Sequence, residues 1–256
     1  MEVKKNGHPE VNNNKRKREE FKYGNYHNYY GKRLGTGEHQ TDFRLELLEA
    51  HPEYFRNKAV LDIGCNSGLF TINFAKQLLP ASVLGVDIDG SLIEKARRHL
   101  EKCKTEGELK DSERNALNHV SFRKANYILK DENLLEFEKP QYEAILCLSV
   151  TKWIHLNNGD AGIQFLFKRI IKQLKPGGVL VLEAQSFDTY RKRSKLSPEI
   201  TQNYKSIQLK PDHFESFLLG DQIGFSESWC IADKEIIKQS GLAKGFHRPL
   251  RVFIKR

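Results

Sequence analysis

Val60-Leu61-Asp62-Ile63-Gly64-Cys65-Asn66-Ser67-Gly68 starts as an apolar strand and ends in glycines that let backbone approach a ligand closely. Phe70, Ile72, Phe74, Ala75 and Leu78 then mark a helix, so the stretch is a strand-to-helix turn. The same alternation extends outward from it. Upstream, Thr41 is placed to cap a helix through Phe43, Leu45, Leu47 and Leu48 that ends before Pro52. Downstream, residues 82–86 read as a second strand, followed by a helix carrying Leu92, Ile93, Ala96 and Leu100. Further strands are predicted at 120–123, 142–148 and 179–183, with a helix over 161–175 that Pro176-Gly177-Gly178 ends. Residues 104–118 are charged and aperiodic and read as an insertion loop. Alternating strand and helix predicts an α/β, Rossmann-like fold with a mostly parallel, doubly wound sheet and ligands at the carboxyl ends of its strands. After residue 186 the alternation stops. A basic stretch over 186–212, a short helix near Pro211 to Leu219 and terminal strands at 224–232 and 248–254 follow, with an antiparallel strand expected at the end.

Two details of the turn select its ligand. Asp62 puts a carboxylate just before the first glycine, where it repels a pyrophosphate and suits the ammonium and sulfonium of S-adenosylmethionine. Asn66 stands where a dinucleotide fingerprint has its middle glycine, which obstructs a pyrophosphate. Asp87, at the end of the second strand, is spaced to accept both ribose hydroxyls, with Ile88 flanking the adenine. These positions predict a class I S-adenosylmethionine-dependent methyltransferase.

With 256 residues, 39% of them hydrophobic, the chain holds one sizeable domain, expected over 21–256. Residues 1–20 are polar and basic, with Lys15-Arg16-Lys17-Arg18, and are expected to form a disordered arm. The aromatic, glycine-rich segment over 21–40 is instead expected to lie against something as a lid. No long apolar run suggests a membrane span or signal peptide, so an intracellular protein, nuclear or cytoplasmic and monomeric, is expected. Cys65, Cys103, Cys147 and Cys230 show no Cys-x-x-Cys spacing, so neither a metal nor a disulfide framework is expected. The net charge of +9, from 42 basic and 33 acidic residues, clusters at 15–18 and at Arg191-Lys192-Arg193 with Lys195. Clustered positive charge points to nucleic acid, whose phosphates release counterions on binding.

The fourth strand runs into Leu148-Ser149-Val150-Thr151-Lys152-Trp153-Ile154-His155-Leu156-Asn157. The Asp/Asn-Pro-Pro-Tyr of enzymes that methylate amide or exocyclic nitrogen is absent. A cation, an indole and an imidazole stand there instead, which suits a phosphate next to a base; the alternative is that Trp153 and His155 pack at a strand end.

Tyr23-Gly24-Asn25-Tyr26, Tyr29-Tyr30-Gly31, Leu61 to Asn66, Asn126-Tyr127, Cys147 to Asn157 and Gln208-Leu209-Lys210-Pro211 together resemble the bicoid-interacting-protein-3 family of RNA methyltransferases, from about residue 20 to the end. That family includes enzymes that methylate the 5′-terminal γ-phosphate of small nuclear RNA. The resemblance implies that Tyr30, Arg44, Gly64, Cys65, Asn66, Asp87, Ile88, Asn126, Tyr127 and Leu148 surround S-adenosylmethionine. It places Tyr29, Arg33, Lys152 and Trp153 at the 5′ end of a triphosphorylated small non-coding RNA, Tyr29 and Lys152 being the catalytic pair. His155 is a further candidate there, and Arg191 and Arg193 would follow the RNA downstream. A La-related RNA-binding protein is an implied partner. The chain departs from the family pattern at Asn158 and at Ala184-Gln185-Ser186-Phe187, both expected beside the substrate groove. Two other readings are an RNA chaperone that retains the fold for binding, and a ribose 2′-hydroxyl methyltransferase using Lys152.

Overall fold

The structure, a computed structural model, describes residues 21–26, 29, 42–106, 108–239 and 246–256. The basic arm, Tyr30, Arg33 and Thr41 lie outside the described residues.

Strands β1 (Ala59–Ile63), β2 (Ser82–Asp87), β3 (Val120–Lys124), β4 (Tyr142–Leu148) and β5 (Leu174–Glu183) are parallel neighbours in one sheet. β6 (Phe225–Ala232) and β7 (Leu250–Lys255) complete it in the order β3-β2-β1-β4-β5-β7-β6, with β7 antiparallel to both of its neighbours. Helices α1 (Phe43–Glu49), α2 (Leu69–Leu78), α3 (Gly90–Glu106) and α4 (Asp111–Asn118) precede β3, and α5 (Thr151–Gln173) crosses from β4 to β5. Later come α6 (Pro198–Ser206), α7 (Phe214–Leu219) and α8 (Lys234–Gln239).

Successive residues of each inner strand serve opposite faces of the sheet. Val60, Leu146 and Val181 join one apolar cluster, while Leu61, Ile145 and Leu180 join the other. Ala144 through Cys147 are fully buried, as a parallel strand covered by helices on both faces must be. Each fully buried Leu or Ile there contributes about 1.5–3 kcal/mol, which favours β4 at the centre of this order, between β1 and β5. That order in turn sets β1 and β4 side by side, with their carboxyl ends opening together. A ligand site follows at that edge.

Three sequence expectations are corrected. Asp42 caps α1, its carboxylate accepting the Arg44 N–H at 3.1 Å. The stretch 104–118 is mostly helical: α3 continues to Glu106, and α4 buries Ala116 and Leu117. With only that pair of apolar residues, α4 shows too little periodicity to be seen in sequence. The crossing helix begins at Thr151, well before 161; Gly159 at φ +62° kinks its interior, and Asn157-Asn158-Gly159 reads in sequence as a break before a later start.

Candidate functional site

Where β1 meets α2 the chain turns on Gly64, whose φ is +77°; a Cβ there would stand 2.9 Å from Val150 Cγ2. Only glycine allows that approach. The N–H groups of Gly64 and Cys65 donate to the Val86 carbonyl at 2.8 and 3.0 Å. Asn66, also left-handed at φ +51°, donates its N–H to Asp87 Oδ2 at 2.9 Å, and Asp87 Oδ1 accepts the Asp89 N–H at 2.9 Å. Asp87 therefore ties the end of β2 to the turn of β1.

Asp62 lies beneath this turn, 3% exposed, and accepts the Thr71 hydroxyl at 2.6 Å. Burial pushes its carboxyl up to about 6, against the pull of Thr71 and Arg44. Such a carboxylate is short of positive charge and suits a cationic ligand. Arg44 is committed to other partners: Nε and Nη2 donate to Asp42 at 2.9 and 2.6 Å, and Nη1 to Glu183 at 3.1 Å.

Two adjoining cavities, of about 320 and 510 Å³, share Tyr23, Gly64, Asp87, Val150 and Trp153 as walls. The smaller carries two groups of charge: Asp62 and Asp87, and a basic set of Lys152, Lys192, Arg193 and Arg248. The Lys152 ammonium is pushed down to about 8, chiefly by burial and then by Arg248, Arg193 and Lys192. The larger cavity is walled by Ile88, Asn126 and Ile128, an apolar slot with polar edges.

The segment 21–26 runs across both openings. Asn157 Nδ2 donates to the Lys22 carbonyl at 2.9 Å and Asn25 Nδ2 to Asp89 Oδ2 at 2.6 Å. Gly24 lies so close to the Trp153 indole that a Cβ would stand 2.2 Å from it. Tyr26 meets the same indole edge-on at 5.8 Å between centroids and stacks under the Arg193 guanidinium at 5.3 Å.

The structure gathers Tyr29, Arg44, Asp62, Gly64, Cys65, Asn66, Asp87 and Leu148 on the smaller cavity with Lys152, Trp153 and Arg193, and puts Ile88, Asn126 and Tyr127 on the larger. Tyr30 and Arg33 lie outside the described residues. Some placements differ from expectation. His155 is fully buried and off both cavity walls: Nε2 donates to Asp160 Oδ1 at 2.7 Å, so Nδ1 is left to accept from the Tyr190 hydroxyl at 3.4 Å. Arg191 is exposed and off the cavity wall. The Tyr127 hydroxyl points into the core and donates to Gln173 Oε1 at 2.8 Å, and the Cys65 thiol is buried in the core. Of the two departures from the family pattern, Asn158 borders the larger cavity, while Gln185 of the 184–187 stretch lines the basic one and Ser186 a third, of about 200 Å³.

Sequence reasoning missed Arg248, Phe246 and Glu183, and took Gln185 only as a departure from the family pattern. Gln185 Oε1 accepts the Lys152 N–H at 3.3 Å while Nε2 donates to the Ser149 carbonyl at 2.5 Å, so it anchors the start of α5. Arg248 and Phe246 reach the cavity from just before β7, nearly a hundred residues from Lys152, and no local pattern connects them. Among the described residues there is neither a cluster of metal-ligating side chains nor a helix long and apolar enough to cross a membrane.

Comparison with known proteins gives consistent matches. The family described as Bicoid-interacting protein 3 matches residues 142–255, and a methyltransferase domain matches 61–180. The chain is 46% identical over 238 residues to the U6 snRNA methylphosphate capping enzyme Amus of Drosophila melanogaster, covering 92% of this chain and 75% of that protein. It is 35% identical over 287 residues to the 7SK snRNA methylphosphate capping enzyme of Homo sapiens, covering 94% of this chain and 40% of that longer protein. The N-methyltransferase NodS from Bradyrhizobium japonicum WM9, solved with S-adenosyl-L-homocysteine, superposes with a TM-score of 0.54 at 13% identity, over 95% of this chain and 99% of that one. At that identity the likeness is one of fold.

Proposed function

The chain belongs to the Bicoid-interacting protein 3 family of S-adenosylmethionine-dependent RNA methyltransferases, and from that premise we propose that it monomethylates the 5′-terminal γ-phosphate of a small non-coding RNA. The observation that carries this reading is the basic set around Lys152. An ammonium buried among three further cations is a seat for an anion, because a phosphoryl group relieves the repulsion between them.

The residues present fit the methyl donor: Gly64 leaves a cradle that any Cβ would fill, and Asp62 offers buried negative charge. When bound, S-adenosylmethionine supplies an electrophilic methyl group on a sulfonium. Asp62 and Asp87 favour its positive charge and its ribose hydroxyls. On the acceptor side, a phosphate monoester loses its second proton near pH ~6, so the attacking oxygen is already anionic at neutral pH. No side chain has to remove a proton. Lys152 and Arg193 hold the phosphate, Arg through paired donors and Lys as a point charge. Orientation of this kind is worth effective molarities of about 10⁵–10⁸ M. Tyr29 is placed on the cavity wall to stack on the first base, a contact worth about 1–3 kcal/mol, and Lys192, Arg191 and Lys195 follow the strand outward. Methylation of a ribose 2′-hydroxyl is disfavoured, because the Lys-Asp-Lys-Glu tetrad it usually relies on sets carboxylates beside the lysine, whereas the charges that act on Lys152 are cations.

The test is transfer of labelled methyl to one short RNA carrying a 5′ triphosphate or a 5′ hydroxyl. The triphosphate form is expected to be labelled and the hydroxyl form not, with Lys152→Ala abolishing labelling while S-adenosylhomocysteine affinity stays within about twofold. Equal labelling of both RNAs would refute phosphate methylation. Tight RNA binding with no transfer would favour a scaffold.

A further inference from the structure

Ser149, the first residue after β4, has φ +63°, a left-handed backbone that a serine adopts only when its surroundings enforce it. They do so here from three directions. Its N–H donates to the Glu183 carbonyl at 2.9 Å, its carbonyl accepts from Gln185 Nε2 at 2.5 Å, and its hydroxyl donates to the Glu183 carboxylate, which is 1% exposed. Glu183 is held in turn by Arg44, itself paired with Asp42. A hydroxyl whose proton is committed to a carboxylate can only accept from its other neighbour. That neighbour is Arg248, whose Nη1 donates to Ser149 Oγ at 2.6 Å. The face of the guanidinium rests on the Phe246 ring, 5.1 Å from its centroid. Both Arg248 and Phe246 border the cavity that holds Lys152, and of the neighbouring charges that act on Lys152, Arg248 is the strongest.

Two cations held this near each other at the end of β4 oppose folding unless an anion later occupies the space beside them. A strained serine spent on aiming one of them is a device for function rather than stability. We propose that Arg248, aimed by Ser149, holds the acceptor phosphate together with Lys152 and gives the enzyme its preference for a terminal phosphate over an unphosphorylated 5′ end. Arg248 contacts substrate; Ser149 is a positioning residue acting through it. A terminal phosphate carries a second negative charge that a phosphodiester lacks, and a guanidinium fork beside an ammonium matches that extra charge.

This rests on the phosphate-methylation reading above, and one experiment separates the two. Fluorescence anisotropy with saturating S-adenosylhomocysteine, which prevents turnover, measures the affinity of the full chain for one short RNA with a 5′ triphosphate or a 5′ hydroxyl. The wild type is expected to prefer the triphosphate at least tenfold, Arg248→Gln to bring that ratio below about threefold without changing affinity for the hydroxyl RNA, and Ser149→Ala to fall between. A wild type with no preference refutes phosphate recognition itself. A wild type with the preference and an Arg248→Gln variant that keeps it refutes this inference alone, as does an equal loss for both RNAs. Arg248→Lys keeps a cation without the fork or its seat on Ser149. Should Arg248→Gln melt well below the wild type, Arg248→Lys carries the comparison, and a ratio unchanged from wild type again refutes the inference.

Discussion

Lys152 is placed where its proton matters to the reaction. Its ammonium titrates at about 8 because it is buried beside Arg248, Arg193 and Lys192, so it is charged below that pH and neutral above it. The acceptor phosphate changes in the opposite sense, gaining its second negative charge as pH rises through about 6. The product of the two is largest between these values. We therefore expect kcat/KM for triphosphorylated RNA to rise through pH ~6 and fall through pH ~8, since this ratio reports the ionisations of free enzyme and free substrate. Lys152→Arg, which stays protonated throughout, should remove the falling limb and keep the rising one. A falling limb that survives in that variant would assign it to another group. Asp62, Asp87 and Lys152 were all readable in sequence because each sits within a residue or four of a strand end, where a local motif exposes it. Arg248 was not, because only the antiparallel return of β7 beside β5 brings it there.

The crossing helix α5 shows the same limit. Its sequence Thr151-Lys152-Trp153-Ile154-His155 looks like one set of site residues, but helical geometry sends alternate members to different places. Lys152 and Trp153 border the cavities, while His155 turns inward to Asp160. The other Asp160 oxygen accepts the N–H groups of Gln208 and Leu209 at 2.8 and 3.2 Å. Two of the sequence stretches that resemble the family, around Lys152 and at Gln208 to Pro211, are thus linked through the half-buried Asp160 carboxylate and the buried His155 imidazole. Spacing could not reveal this, since Gly159 breaks the helix between the partners. His155→Ala is expected to lower unfolding free energy by about 2–4 kcal/mol, combining the cavity with the lost charged hydrogen bond. Urea titration measures it, and a change under about 1 kcal/mol would show that the pair does not hold α5 to the 207–210 segment.

Over the whole molecule, charge is sorted by ligand. The turn at β1 and β2 presents buried carboxylates to a cationic donor, and the same cavity presents Lys152, Lys192, Arg193 and Arg248 to an anionic acceptor. The second of these contributes to the net charge of +9, together with the basic stretches 15–18 and 191–195. Composition alone could therefore point to nucleic acid, but it could not say that the sign reverses within one cavity. This sorting has a measurable consequence in salt. Each phosphate neutralised on a single strand contributes about −0.7 to the slope of log K against log salt concentration. A short RNA whose three 5′-terminal phosphates fill the space among Lys152, Lys192, Arg193 and Arg248 should give a slope of about −2. A longer RNA that also reaches Arg191 and Lys195 should give a steeper one, and Lys192→Ala should flatten either by about 0.7. S-adenosylhomocysteine, which carries no phosphate, should bind almost independently of salt. Equal slopes for the short and long RNAs would confine recognition to the cavity and leave the exposed basic run without a role in RNA binding.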